Sequence, residues 1–198
     1  VILSPLRRDW TEVQAKVEEQ LERRRKAARG SRTTRTQKDA EKKIAELLDG
    51  FVHRLATISI LDPACGSGNF LYVAIQKLLD LEKEVITFAA RPEIAASMFP
   101  KVRPTQLHGI EINPYAAELA QVVIWIGYLQ WMRDNGFVAP SNPVLEPLQT
   151  IENRDAILDL SSPDLPVAAT WPRADFVIGN PPFLGTKMLR SGLGDRYV

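Results

Sequence analysis

The chain of 198 residues holds one cysteine, Cys65, and two histidines, His53 and His108. A lone cysteine excludes an internal disulfide. Three such residues are too few for a Cys/His metal cluster, so metal catalysis is not expected. Long apolar runs are missing as well: nothing approaches the roughly 18 residues that span a bilayer, and the N-terminus lacks the pattern of a signal peptide. A cytoplasmic location with no membrane partner is the expectation. Neither sign of charge dominates, with 25 Lys and Arg against 24 Asp and Glu, which gives no hint of disorder. With 45% hydrophobic residues, the chain can bury one ordinary core. It opens on Val rather than Met, and Gly194-Asp195-Arg196-Tyr197-Val198 brings no recognisable closing element. The sequence reads as a piece of something longer.

Helical periodicity comes first in what is there. Trp10, Val13, Val17 and Leu21 recur at helical spacing among charged residues and predict an amphipathic helix to about Ala28. Ile44, Leu47, Leu48, Phe51, Val52 and Leu55 predict a second, from about Gln37 to Ala56, with an apolar face suited to the sheet. His53 beside that face is given no role. Between the helices, Arg23, Arg24, Arg25, Lys26, Arg29, Arg32, Arg35 and Lys38 form a run without an acid, broken by Gly30 and Ser31. It reads either as an arm that contacts phosphates or as a solvated connector.

Beyond residue 57, strand and helix alternate. Thr57–Asp62 predicts a strand buried on both faces, as in a parallel sheet. A glycine turn, Asp62-Pro63-Ala64-Cys65-Gly66-Ser67-Gly68, and a helix from Phe70 to about Glu84 follow. Such a turn lets backbone approach a nucleotide cofactor closely. Leu71 stands where a dinucleotide fingerprint has its third glycine, which argues against NAD. Cys65 inside the turn reads as a small packing residue. No role is legible for the proline-punctuated stretch 85–104. Thr105–Ile112 predicts the second strand, and Asn113-Pro114 supplies a helix N-cap with proline at the first helical position. Glu111 at that strand end can accept from both hydroxyls of a ribose. The following helix carries Leu119, Val122, Val123, Ile126 and Leu129, with Trp125 and Trp131 read as core. A loop over 135–147, a short strand 148–151, a loop 159–173 and a fourth strand 174–179 complete the pattern. Right-handed crossovers would set these strands in one parallel sheet with the marked loops along one edge.

The fourth strand runs into Gly179-Asn180-Pro181-Pro182-Phe183. Consecutive prolines lack backbone N–H groups and fix their own φ, so Asn180 and Pro181 are held in a stiff, extended turn rich in acceptors. The Asn180 side chain and the Pro181 carbonyl could accept from an amino group on a planar substrate, and Phe183 offers a stacking face. Adenine is such a substrate. As an isolated motif, however, Asn-Pro-Pro is also an ordinary strand exit.

Taken together, the glycine turn and the Asn-Pro-Pro-Phe loop resemble the first and fourth motifs of S-adenosylmethionine-dependent amino-methyltransferases that modify adenine in DNA. More narrowly, 61–72, 107–131, 151–158 and 171–197 resemble the methyltransferase domain of MmeI-like (type IIL, within type IIG) restriction-modification enzymes. The resemblance implies an α/β fold: a class I methyltransferase, Rossmann-like, doubly wound parallel sheet, C-terminally truncated, with N-terminal helices. It implies two parts, a helical segment with a basic connector over 1–56 and an incomplete cofactor-binding and catalytic part over 57–198. S-adenosylmethionine would be held by Asp62, Ala64, Gly66, Gly68, Phe70, Glu111, Ile112 and Asp155, the last taking the cofactor's adenine amino group. Asn180, Pro181, Pro182 and Phe183 would form the catalytic loop, and the implied partner is double-stranded DNA with a flipped adenine. Against the family pattern, three strands of the usual seven, the target-recognition region and the endonuclease are absent; the latter two are expected on the same longer polypeptide. Methylation at cytosine carbon needs a nucleophilic cysteine, and Cys65 sits in the cofactor turn, so that class is excluded. Asn180 favours adenine over cytosine's amine. Protein-glutamine and RNA amino-methyltransferases share the Asn-Pro-Pro-aromatic loop, and a non-catalytic, cofactor-gated DNA-binding module is the reading from another class.

Overall fold

In the computed structural model, residues 2–29, 34–137, 147–159 and 167–181 are described. Strand β1 (Ile60–Asp62) is flanked by β2 (Leu107–Glu111) and by β6 (Phe176–Val177), and β3 (Ile151–Asn153) lies outside β2. All pairings in this four-stranded sheet are parallel. Every residue of β1 is buried, as expected of a parallel strand covered on both faces. Register sets Asp62 opposite Gly109 and Glu111 opposite Asn153. The chain leaves β1 through helix α3 (Asn69–Ala89) and returns in β2, then leaves β2 through α4 (Pro114–Asp134) and returns in β3. It next appears on the far side of β1 as β6. Strand order therefore reverses at β1, and the crevice at the carboxyl ends of β1 and β6 is a topological switch point, where open α/β sheets take their ligands. This is the Rossmann-like arrangement that the alternation of elements predicts.

Boundaries shift at several places. A 3₁₀ turn, Pro104–Gln106, occupies the predicted start of β2. The third strand runs from Ile151 rather than ending there. Only Phe176–Val177 of the predicted fourth strand forms ladder. The predicted loop 159–173 contains β5 (Val167–Ala168), which pairs antiparallel with β4 (Leu158–Asp159). Two-residue strands leave no period to read.

Helix α4 buries a different stripe from the one its large residues suggest. Ala117, Ala120, Ile124, Gly127 and Trp131 face inward, while Leu119, Val122 and Ile126 are exposed. Small residues are needed there, because the turn before α3 lies on Ala120 and the Tyr72 ring lies over Gly127. Trp131 is core, as the sequence predicts; Trp125 is half-buried.

The chain divides into two compact units, Val1–Ile58 with Gln76–Arg103, and Ser59–Ile75 with Pro104–Val198. In the first, α1 (Leu3–Arg29) starts a full two turns before the predicted Trp10, since Pro5 falls in the first turn, where its missing N–H costs nothing. Helix α2 (Thr34–Thr57) packs along α1: Trp10 stacks on Phe51 at 5.2 Å and meets Phe88 edge-on at 5.3 Å. Its apolar face, which the sequence assigns to the sheet, thus has α1 as its partner. The stretch 85–104 has a legible role here. Arg91 bonds Glu18 at 2.5 Å, Arg24 bonds the Glu93 carbonyl, and the fully buried Glu82 accepts from the backbone N–H groups of Lys101 (2.6 Å) and Val102 (3.1 Å). A carboxylate inside the unit thereby closes the return segment onto α3.

Burial pushes the Glu82 carboxyl above the usual range, and the two backbone N–H groups and Lys101 offset this only in part. Between the unfolded and the raised folded value, the folded state binds more proton, so this group's contribution to stability falls as pH rises through that window. Glu82→Gln should remove that slope. Chemical denaturation across the mildly acidic to neutral range should show the stability of the parent, relative to the variant, declining with pH; a constant difference would contradict the buried carboxyl's part.

Candidate active site

Three loops leave the carboxyl edge of the sheet close together. The first, after β1, is the glycine turn. The Cys65 N–H donates to the Ile110 carbonyl (3.1 Å), and the Gly68 N–H to the Cys65 carbonyl (2.8 Å), so the turn is stapled to β2 and to itself. Gly66 and Gly68 have φ of +53° and +84°, which side-chain-bearing residues rarely adopt. A Cβ on Gly68 would also stand 3.1 Å from Ala120. Asp62 is wholly buried; its Oδ1 accepts from the Ala64 N–H (3.1 Å), and its Oδ2 has no partner among the described residues. Burial, then the nearby Glu111 charge, raise its carboxyl above the ordinary range against the pull of the Ala64 N–H. Cys65 is buried with its sulfur where a Cβ on Gly109 would come within 2.8 Å. Burial, with the Asp62 and Glu111 charges, pushes its thiol up to about 12. A thiol that holds its proton at neutral pH is no nucleophile, and Cys65 packs the turn against β2.

The second loop follows β2. Glu111 accepts from the Gly66 N–H on Oε2 and from the Asn113 N–H on Oε1, both at 2.8 Å. Its carboxylate thus bridges the glycine turn and the start of α4, with lone pairs left for further donors. Asn113 caps α4 by accepting from the Tyr115 and Ala116 N–H groups, with Pro114 at the first position. Ile112 is 64% exposed. Asn153, to which the sequence gives no role, donates its side-chain amide to the Glu111 (2.8 Å) and Ile112 (3.1 Å) carbonyls. Asp155 stands just past β3, its Oδ1 accepting from the Ile157 (2.7 Å) and Leu158 (3.1 Å) N–H groups. Ile112 and Asp155 line one open cavity of about 640 Å³. Two more of its residues escape the sequence reading. Arg154 bonds Glu152 at 2.5 Å and the Thr170 carbonyl at 2.9 Å, and Trp171, 47% exposed, donates to the Ala156 carbonyl at 2.6 Å. The sequence marks them only as members of the stretches 151–158 and 171–197, with no role attached to either.

The third loop leaves β6. Asp175 accepts from the Ser59 N–H (2.8 Å), and the Ile178 N–H donates to the Leu61 carbonyl (2.8 Å), so the strand is fixed beside β1 at both ends. Gly179 then passes the Asp62 carboxylate, and Asn180 and Pro181 are exposed. Pro182 and Phe183 lie outside the described residues. Asp62, Ala64, Gly66, Gly68, Glu111 and Ile112 thus gather at the carboxyl ends of β1 and β2, Phe70 is half-exposed on the first turn of α3, and Asn180 and Pro181 follow β6. An acid and exposed acceptors around a glycine turn can hold a ligand rich in donors.

A profile of the family described as "MmeI, DNA-methyltransferase domain" matches residues 34–192. DNA methyltransferase A of Bacillus subtilis (strain 168) is 30% identical over 145 residues, 71% of this chain and 16% of that protein. A protein of Methanocaldococcus jannaschii named as a type II restriction enzyme and methyltransferase is 31% identical over 93 residues, 46% of this chain and 8% of that one. A solved structure of the type IIL restriction-modification enzyme MmeI in complex with DNA is similar at 29% identity and a TM-score of 0.43, over 52% of this chain and 14% of that chain. The chain spans less than a fifth of the length of these relatives.

If Cys65 is packing, it and Gly109 answer to each other. Gly109→Ala should destabilise the fold by about 1 to 3 kcal/mol through overpacking, and Cys65→Ala in the same chain should return part of that loss. Denaturant titration of the two single variants and the double variant measures it; strictly additive losses would mean the sulfur is not what the new methyl group meets.

Proposed function

Because the chain belongs to the family of MmeI DNA-methyltransferase domains, we propose that it transfers a methyl group from S-adenosylmethionine to the exocyclic amino group of adenine in DNA. It does so as part of a restriction-modification enzyme, a longer cytoplasmic polypeptide with endonuclease and target-recognition regions. Residues 1–56 are its helical segment and 57–198 its cofactor-binding and catalytic part. Among the described residues, no helix is long and apolar enough to cross a membrane. The observation that carries the reading is the position of Asn180 and Pro181, exposed a few residues past β6, the strand paired with β1, and next to Gly179, which lies against Asp62 and Pro63 at the start of the glycine turn.

The residues present fit the cofactor. Asp62 keeps a buried oxygen without a donor among the described residues, the glycine turn is free of side chains at Gly66 and Gly68, Glu111 keeps lone pairs beyond those its two backbone bonds use, and Asp155 is an acid on the wall of the open cavity. Glu111 would hold the ribose hydroxyls, Asp155 the adenine amino group, and Ile112 its face, with Ala64 and Phe70 bordering the site. When bound, the cofactor supplies an electrophilic methyl group on a sulfonium. Asn180 and the Pro181 carbonyl accept from the amino group of the substrate base. That nitrogen is a poor nucleophile because its lone pair is delocalised into the ring, and the two acceptors draw it towards a tetrahedral geometry with the lone pair aimed at the methyl group. The base must leave the duplex to reach them, and Phe183 would hold it by stacking, with Pro182 keeping the loop stiff.

Part of the basic run is already engaged. Arg24 pairs with Glu41, and Arg25 with Glu22 and Glu93. The side chain of Arg29 and the whole of Arg32 lie outside the described residues. Arg23, Lys26, Arg35 and Lys38 are exposed and remain the candidates for binding phosphates.

Labelled methyl transfer by the intact enzyme, with mass identification of the modified nucleoside, tests the reaction. Asn180→Ala should lower single-turnover transfer by at least about a hundredfold, as loss of a preorganised hydrogen-bonding group does, with S-adenosylmethionine binding nearly unchanged. Glu111→Ala and Asp155→Ala should do the reverse, weakening cofactor binding by about 1.5 to 3 kcal/mol each. A methylated cytosine, or a methylated protein and unmodified DNA, would replace the reading with one of its rivals. Separately, changing Arg23, Lys26, Arg35 and Lys38 to Gln should flatten the salt dependence of DNA binding, by about 0.9 in log–log slope for each phosphate that is no longer neutralised. An unaltered slope would make the run a connector.

A further inference from the structure

Between the last backbone bond of β6 and Asn180 there is one residue, Gly179, and it passes the Asp62 carboxylate without room to spare. A Cβ at 179 would stand 2.7 Å from Asp62 Oδ1, 3.5 Å from its Cγ and 3.6 Å from Pro63 Cδ. The backbone φ there, +155°, is one that residues with side chains rarely adopt. Asp62 has little freedom to give way. It is wholly buried at the end of a buried strand, and Oδ1 is tied to the Ala64 N–H. The strand that leads to Gly179 is two residues long and is held to the sheet through β1. A collision would therefore move the loop and not the acid.

A packing residue would be cheaper for the fold at position 62. The buried Oδ2 finds no donor among the described residues, and an unsatisfied buried acceptor costs stability. We propose that Asp62 and Gly179 are positioning residues for methyl transfer: the carboxylate is the stop against which the chain leaving β6 rests, and this close approach sets where the Asn180 and Pro181 acceptors stand. The link joins the turn that follows β1 to the loop that meets the base. It rests on the reading of Asn180 as the group that holds the amino substrate.

The test uses the intact enzyme with Gly179→Ala, Asp62→Ala, the double variant and Asn180→Ala. Its readouts are S-adenosylmethionine binding by calorimetry, thermal unfolding, single-turnover methyl transfer at saturating cofactor, and fluorescence of 2-aminopurine at the target position. Gly179→Ala should bind the cofactor as the parent does and unfold as cooperatively, its thermal midpoint lowered only by the strain of an alanine at that φ. Its transfer rate should fall by about a hundredfold, the scale of a displacement near 1 Å at a reacting group, and its 2-aminopurine signal should change. With Asp62→Ala the stop is gone and only the strain of an alanine at that φ remains, so adding Gly179→Ala should cost clearly less than it does in the parent; residues that touch are non-additive in this way. A parental rate in Gly179→Ala overturns the proposal. So do fully multiplicative losses in the double variant, or, in Gly179→Ala, a loss of cofactor binding or thermal stability that accounts for the slower rate. Asn180→Ala at the parental rate sinks the underlying reading instead, and is seen independently of Gly179.

Discussion

The Glu111 carboxylate, with one oxygen on the Gly66 N–H and the other on the Asn113 N–H, is the tie on which the candidate site depends. It fixes the glycine turn to the strand beside it, alongside the Cys65 N–H bond to the Ile110 carbonyl, and it fixes the first residue before α4. Its own carbonyl is held in turn by Asn153 and the Arg154 N–H from the neighbouring strand. Four segments of the chain are thereby held around one acid. An acid so bonded is preorganised: its orientation is set before any ligand arrives, and ordering it costs a ligand nothing.

Much of this was legible from the sequence because its signals are local. A glycine turn after an apolar run, an acid at a strand end and Asn-Pro before a helix each take their meaning from adjacent residues, and Gly66, Gly68, Glu111 and Asn113 stand where those signals put them. The parallel order of the sheet was legible for the same reason, since strand and helix alternate from β1 to β3.

What escaped reading depends on partners far along the chain. Asn153 looks like any polar residue at a strand end until the carbonyls it braces are in place. The inward stripe of α4 follows the closeness of the turn before α3, so the helix turns its small residues to the core and leaves Leu119, Val122 and Ile126 outside. Hydrophobicity alone points to the wrong face. Helix α2 likewise has an apolar face that any apolar surface would satisfy, and its periodicity does not say which. The one-sided charge between Arg23 and Lys38 was plain in the sequence, but the acids that neutralise Arg24 and Arg25 come from α2 and from the return segment as well as from α1.

The clasp in the first unit treats its two ends differently. Glu82 takes hold of the main chain at Lys101 and Val102, and every residue but proline carries the N–H it needs. As far as that bond is concerned, positions 101 and 102 can drift in identity and even in size, whereas position 82 tolerates only a side chain with an acceptor at the same reach. Descendants of such a chain could change what stands at 101 and 102 and keep this bond, while Arg91 and its pair with Glu18 would still have to be matched elsewhere in the unit.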